Sequence, residues 1–125
     1  MGELEDLDGG MALGEATPLL MTAKPGTTSG TDAIVHTGQE FIYCLDGSIV
    51  YWVGDEEYIL EKSDSLIFHA HIPHRWENCD GDTLKVLSLY AHLTAVIDLW
   101  GSIYMIWWRN NRFFLKTKNS DMEME

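Results

Sequence analysis

The sequence predicts an all-β domain, an antiparallel sandwich or barrel, on three observations. Short runs of β-branched and aromatic residues recur between Glu40 and Tyr90. Turn-forming residues separate nearly all of these runs, and they repeat about every 8 to 12 residues.

Taken in order, the first seventeen residues are rich in Glu, Asp and Gly and lack periodicity, so 1–17 are expected to form an acidic N-terminal arm. A first strand is expected from Pro18 (PLLMTA), followed by the turn-rich Lys24–Asp32 segment KPGTTSGTD. The runs EFIYCL, SIVYWV, EYIL, SLIF, HRWEN and TLKVLSLY then supply six more strands. Asp46-Gly47 and Gly54-Asp55 read as hairpin dipeptides, and Pro73 and Asp80-Gly81-Asp82 as further breaks. Residues 18–92 are therefore assigned to one barrel.

Residues 93–125 form an apolar stretch with a polar tail. From Leu93 to Trp108 (LTAVIDLWGSIYMIWW), Thr94, Asp98 and Ser102 recur every four residues, which predicts a helix with a narrow polar stripe, packed on the barrel or forming a dimer contact. Sixteen helical residues rise only about 24 Å, short of the roughly 30 Å hydrocarbon core, so a membrane span is disfavoured. A further strand is the remaining alternative.

A chain of 125 residues suits one domain and buries roughly two-thirds of its unfolded surface without disulfides. Its formal charge is −12, and the excess lies before Leu93, where 16 acidic residues face 4 basic ones. Such a surface repels phosphate backbones, and the one basic cluster, Arg109, Arg112, Lys116 and Lys118, is too small to reverse this, so direct nucleic-acid binding is not expected. Cys44 and Cys79 lack C-x-x-C spacing and read as small hydrophobes. With no basic, apolar leader at the N-terminus, a reduced cytoplasmic protein is expected.

The chemistry concentrates in five histidines: His36, the group His69, His71 and His74, and His92. Strand residues two apart share a face, so His69 and His71 project together, while His74, Trp76 and Asn78 share a face after Pro73. His36 and Glu40 would stand about 13 Å apart on an unbroken strand, too far for one ion. Gly38 can bend the chain between them, because glycine tolerates positive φ. Bent in this way, His36 and Glu40 together with His74 offer two imidazoles and a carboxylate, a set suited to divalent Fe, Mn, Ni or Zn. Without a cation, Glu40 pointing into a barrel would have a raised pKa. Tyr43, Tyr51, Trp52, Tyr58 and Trp76 are candidates for a stacking wall. If Glu40 faces inward, so does Cys44.

These residues resemble the cupin superfamily from about Met21 to Tyr90. The usual first motif is H-x-H, three or four residues, Glu, six residues and Gly; here His36, Glu40 and Gly47 match, and Ile34 stands where the first histidine is usual. In the second motif His74 and Asn78 match, while Ser63, His69 and His71 replace glycine, proline and glycine. The wording is most similar to cupin sensor domains that follow a helix-turn-helix in bacterial transcription regulators. The resemblance implies a cupin double-stranded β-helix (a jelly-roll barrel) carrying the C-terminal apolar extension, and a homodimer. It also implies a pocket for a small polar metabolite, with His36, Glu40 and His74 as metal ligands and His69, His71, Cys44, Trp76 and Asn78 as further pocket residues. With the first histidine replaced, the ion is held by three ligands, by His69 or His71 as substitute, or is absent. The chain reads as the sensor half alone or a free-standing relative.

Three functions remain open at this point. One is a sensor or regulatory binding module. The second is a small metal-dependent dioxygenase or isomerase. The third is a structural or membrane-associated protein that relies on the apolar stretch.

Overall fold

The computed structural model describes residues 3–7, 16–91, 103–109, 112–117 and 121–124, and every regular element among them is a β-strand. In chain order these are β1 (Glu3–Asp6), β2 (Ala16–Ala23), β3 (Gln39–Asp46), β4 (Ser48–Val53), β5 (Glu56–Glu61) and β6 (Ser65–His69). They are followed by β7 (His74–Glu77), β8 (Leu84–Ala91), β9 (Ile103–Arg109), β10 (Arg112–Thr117) and β11 (Asp121–Met124). One sheet has the order β1-β2-β8-β3-β6-β9-β10-β11 and the other β5-β4-β7, with antiparallel neighbours.

Side-chain alternation explains why these segments are strands with one inward face. On β5, Tyr58 and Leu60 are buried while Glu57, Ile59 and Glu61 are exposed. Ile49, Tyr51 and Val53 of β4 join them, and meet Ile42 and Cys44 of β3, Leu66 and Phe68 of β6, and Leu84 and Val86 of β8 in one cluster. The core therefore lies between the two sheets, and each large apolar side chain buried there contributes about 1.5–3 kcal/mol.

Of the two expected hairpins, only Gly54-Asp55 forms one, closing β4 onto β5 with Val53 opposite Glu56. Asp46-Gly47 instead carries the chain from the large sheet to the small one, since β3 pairs with β6 and β8 and β4 with β5 and β7. Gly47 has φ of +84°, and a Cβ there would sit 3.0 Å from the Thr83 carbonyl oxygen. Pro73, between β6 and β7, and Asp80–Asp82, between β7 and β8, are likewise sheet-to-sheet passages. A turn dipeptide fixes where the chain reverses; which strand receives the next segment is decided by burial of the two faces. Ser63, in the place where glycine was expected, keeps a left-handed backbone with φ of 75°, its N–H donating to the Cys44 carbonyl at 2.8 Å.

Two expectations are corrected. Within 1–17, Glu3–Asp6 is a strand that pairs with β2, Glu3 opposite Thr22 and Asp6 opposite Leu19, and β2 itself begins at Ala16. The expected helix over 93–108 does not form in its second half: Ile103–Arg109 is strand β9, paired with β6 from Ser65 opposite Trp108 to Phe68 opposite Met105. The run IYMIWW has strong strand propensity, and the free edge of β6 supplies the backbone partners such a strand requires. The Thr94, Asp98 and Ser102 stripe and His92 lie outside the described residues. No helix among the described residues is long and apolar enough to cross a membrane.

Candidate metal centre

Three chain segments converge at one end of the core. The segment bearing His36 is pinned beside β6: the His36 N–H donates to the Ala70 carbonyl at 3.0 Å, and the Ala70 N–H to the Gly38 carbonyl at 2.9 Å. Gly38 makes the expected bend with φ of +89°, and two residues later Glu40 enters β3 pointing inward. His74 opens β7, where its backbone exchanges bonds of 2.6 and 3.0 Å with Ile34. The bend thus brings His36 and Glu40 together, and the Ile34 bridge delivers His74 to the same point.

Register surrounds Glu40 with aromatic rings. Its neighbours across β3 are Phe68 on β6 and Tyr90 on β8, and on the opposing sheet Tyr51 pairs with Trp76. The His74 ring lies 4.8 Å edge-on from Phe68 and 6.3 Å from the near-parallel ring of Tyr51. His36 packs edge-on against His74 at 5.2 Å and Tyr90 at 5.1 Å.

The polar geometry is specific. Glu40 Oε2 lies 3.1 Å from His74 Nε2 and 3.6 Å from His36 Nε2, while Oε1 accepts a 3.1 Å hydrogen bond from the Tyr51 hydroxyl. His74 Nδ1 donates to the Ile72 carbonyl at 2.8 Å, and His36 Nδ1 to that of Thr37 at 3.2 Å. A carbonyl only accepts, so both Nδ1 atoms carry hydrogen and each neutral ring turns an Nε2 lone pair toward the carboxylate. Buried Oε2 accepts no hydrogen bond in this arrangement. Lone pairs facing a carboxylate repel it unless a cation, either a proton on an imidazole or a metal ion, lies among them.

The electrostatics reflect this demand. Burial pushes the Glu40 pKa up, but hydrogen bonds offered by His36 and His74 when protonated, the His74 charge and the Tyr51 hydroxyl outweigh it, and the net shift is downward. The expected raised pKa is thereby corrected: protein donors outweigh desolvation. His36 is raised, chiefly by the hydrogen bond its protonated ring offers Glu40, against a smaller lowering by burial.

A divalent ion fits the donor set. The three ligand atoms lie within 4.8 Å of one another. Ligands about 2.1 Å from a metal at tetrahedral or octahedral angles stand about 3.0–3.4 Å apart, close to the two distances at Oε2. Carbonyl-bound Nδ1–H groups are also the usual support for histidines that ligate through Nε2.

A cavity of about 200 Å³ opens beside these groups, walled by Ile34, Thr37, Tyr51, Trp76 and Tyr90. Of the expected pocket residues, only Trp76 lines it. His69 and His71 pack against each other, their rings tilted by 39° with centroids 5.5 Å apart, partly or largely exposed. Cys44 does face inward, but four residues further along β3, where its thiol donates to the Asp46 and Gly47 carbonyls and burial pushes its pKa up to about 11. Asn78 is a structural tie: its amide donates to the Ala23 and Asp82 carbonyls and its oxygen accepts from the Asp80 N–H. Of the proposed stacking wall, Tyr51 and Trp76 reach the cavity, Tyr58 is core and Trp52 lies under Arg75 at 4.0 Å. Thr37 and Tyr90 were not anticipated; Tyr90 becomes visible only once its register opposite Glu40 is known.

Comparison with known proteins agrees with this architecture. A family model described as "Cupin domain" matches residues 19–90. The HTH-type transcriptional regulator PuuR of Escherichia coli (strain K12) is 32% identical over 73 residues, which is 58% of this chain and 39% of that protein's length. The chain therefore spans about two-fifths of this curated relative. Among solved structures, the Cupin_2 domain of an XRE family transcriptional regulator from Enterobacter cloacae matches with a TM-score of 0.65 at 15% identity, over 74% of this chain and 97% of that one. An HTH_3 family transcriptional regulator from Vibrio cholerae matches with a TM-score of 0.63 at 13% identity, over 74% and 51%. At these identities the structural likeness establishes the fold alone.

Proposed function

Because the chain belongs to the cupin domain family, we propose that it is a small-molecule-binding module of the regulatory, sensor type, whose cavity holds a small polar metabolite beside a divalent ion on His36, Glu40 and His74. The observation that carries the metal is the buried Glu40 Oε2, which faces two Nε2 lone pairs and accepts no hydrogen bond. A bound ion supplies a Lewis acid toward an oxygen or nitrogen of the ligand. The residues themselves orient it: Trp76 and Ile34 offer apolar walls, and Tyr90 adds an aromatic one. Similarity to cupin domains of transcription regulators supports the sensor role, and the net charge of −12 argues against direct contact between this chain and DNA. The reading includes a homodimer in the cytoplasm.

The test is elemental analysis of untagged protein. Near-stoichiometric Fe, Mn, Ni or Zn that disappears in His74→Ala supports the site; metal-free wild-type protein that also refuses added ions removes it. A thermal-shift screen against metabolites then identifies the ligand, because binding stabilises the folded state by mass action. Light scattering at micromolar concentration decides the dimer.

A second reading is favoured by one observation: three protein ligands beside an open cavity leave positions for substrate. On this reading the protein is a small metal-dependent dioxygenase or isomerase. Oxygen consumption or isomer formation by the loaded protein with a ligand found in the screen, abolished in Glu40→Ala, would establish it over the sensor reading.

A further inference from the structure

The metal reading leaves one side chain of the site without a role. Tyr51 contributes no ligand, yet its hydroxyl is aimed at the carboxylate oxygen that the imidazoles do not face. The ring is 2% exposed, set at 5.6 Å from Phe68 and near-parallel to His74 at 6.3 Å, so packing holds the hydroxyl in place. The division of the carboxylate is complete: Oε1 accepts from Tyr51, and Oε2 alone stands within 3.6 Å of the two Nε2 atoms.

Resting on the metal reading above, we propose that Tyr51 is a positioning residue for the metal centre: by engaging Oε1 it holds Glu40 to a one-oxygen ligand and keeps a coordination position open toward the cavity. A free carboxylate can swing both oxygens onto an ion, and doing so here would occupy the position a small ligand needs. Tyr51 opposes that swing at the cost of its own buried hydrogen bond, and hydroxyl donors to ligating carboxylates typically change metal affinity by about 10- to 100-fold. Tyr90 also faces Glu40 across the strand pair, but it is 37% exposed, which leaves Tyr51 as the buried partner.

The experiment is cobalt(II) titration of chelator-stripped protein, wild type against Tyr51→Phe, followed by visible absorption. Tyr51→Phe keeps the ring and is expected to weaken cobalt binding by about 10- to 100-fold. It should also give a weaker spectrum, because a higher coordination number lowers d–d intensity. Equal affinity and spectrum in the two proteins would overturn the proposal while leaving the metal site standing; wild-type protein that takes up no cobalt would overturn both. A second measurement needs no variant: the infrared difference between loaded and stripped wild type. Widely separated carboxylate stretches indicate one-oxygen ligation, as expected, and closely spaced stretches indicate two-oxygen ligation and refute the role of Tyr51.

Discussion

Replacing Glu40 by Gln separates the carboxylate's charge from its shape. The side chain is 2% exposed, so the substituted amide must find partners in place. Its oxygen can keep the 3.1 Å bond from Tyr51, and its NH2 can donate to the Nε2 lone pair of His74 at a similar distance. The metal-free variant should therefore lose no more than about 1 kcal/mol, roughly 4 °C of melting temperature for a domain of this size. Metal binding is another matter, because the amide nitrogen is no ligand and two neutral imidazoles remain to hold a doubly charged ion. For wild type, free metal at about 100 times its dissociation constant adds about 2.7 kcal/mol, close to 10 °C. The assay is thermal melting of chelated protein with and without added Mn, Fe or Zn. The expected result is a shift of about 10 °C in wild type and almost none in Glu40→Gln. A full shift in the variant would refute the assignment of Glu40 as ligand, and collapse of the metal-free variant would refute the claim that its hydrogen bonds can be reproduced by an amide.

Three further outcomes follow from the geometry. Glu40, depressed below 4.5, adds stability present above that value and lost as pH falls through its folded-state pKa, whereas His36, raised above 6.5, adds stability present below that value and lost as pH rises through its own. Chelated protein should accordingly be most stable between these two values in a pH series of melting curves, and His36→Ala should flatten the alkaline side. Asn78→Ala, which removes the amide donor to the buried Ala23 carbonyl and to that of Asp82, should cost about 1–3 kcal/mol in urea unfolding with metal affinity unchanged; a change in affinity would put Asn78 back in the site. The double variant His69→Ala, His71→Ala should bind metal with wild-type stoichiometry by elemental analysis, since neither ring reaches the Glu40 cluster.

Much of the barrel was readable because strand alternation and turn residues are local signals. The runs expected from Glu40 to Tyr90 correspond to β3 through β8, nearly residue for residue. So was the meeting of His36 and Glu40, since their spacing demanded a bend and Gly38 was the residue able to make it. The helix expected from Leu93 failed over 103–109 because a four-residue polar repeat carries less weight than an open strand edge on β6. Cys44 shows the limit of alternation: parity put it on the correct face, but four residues of strand set it about 13 Å from Glu40, beyond the cavity.

By itself, then, the sequence determined the strands, the inward faces and three residues able to share an ion, because each follows from covalent periodicity of two and from the backbone freedom of one glycine. Only the tertiary structure decided that Asp46-Gly47 is a passage between sheets, that Asn78 ties strands instead of lining the cavity, and that Phe68, Tyr51 and Tyr90 surround Glu40. Those facts depend on which strands lie side by side and in what register, and register is set by the burial of both sheets at once, a property no local stretch of chain contains.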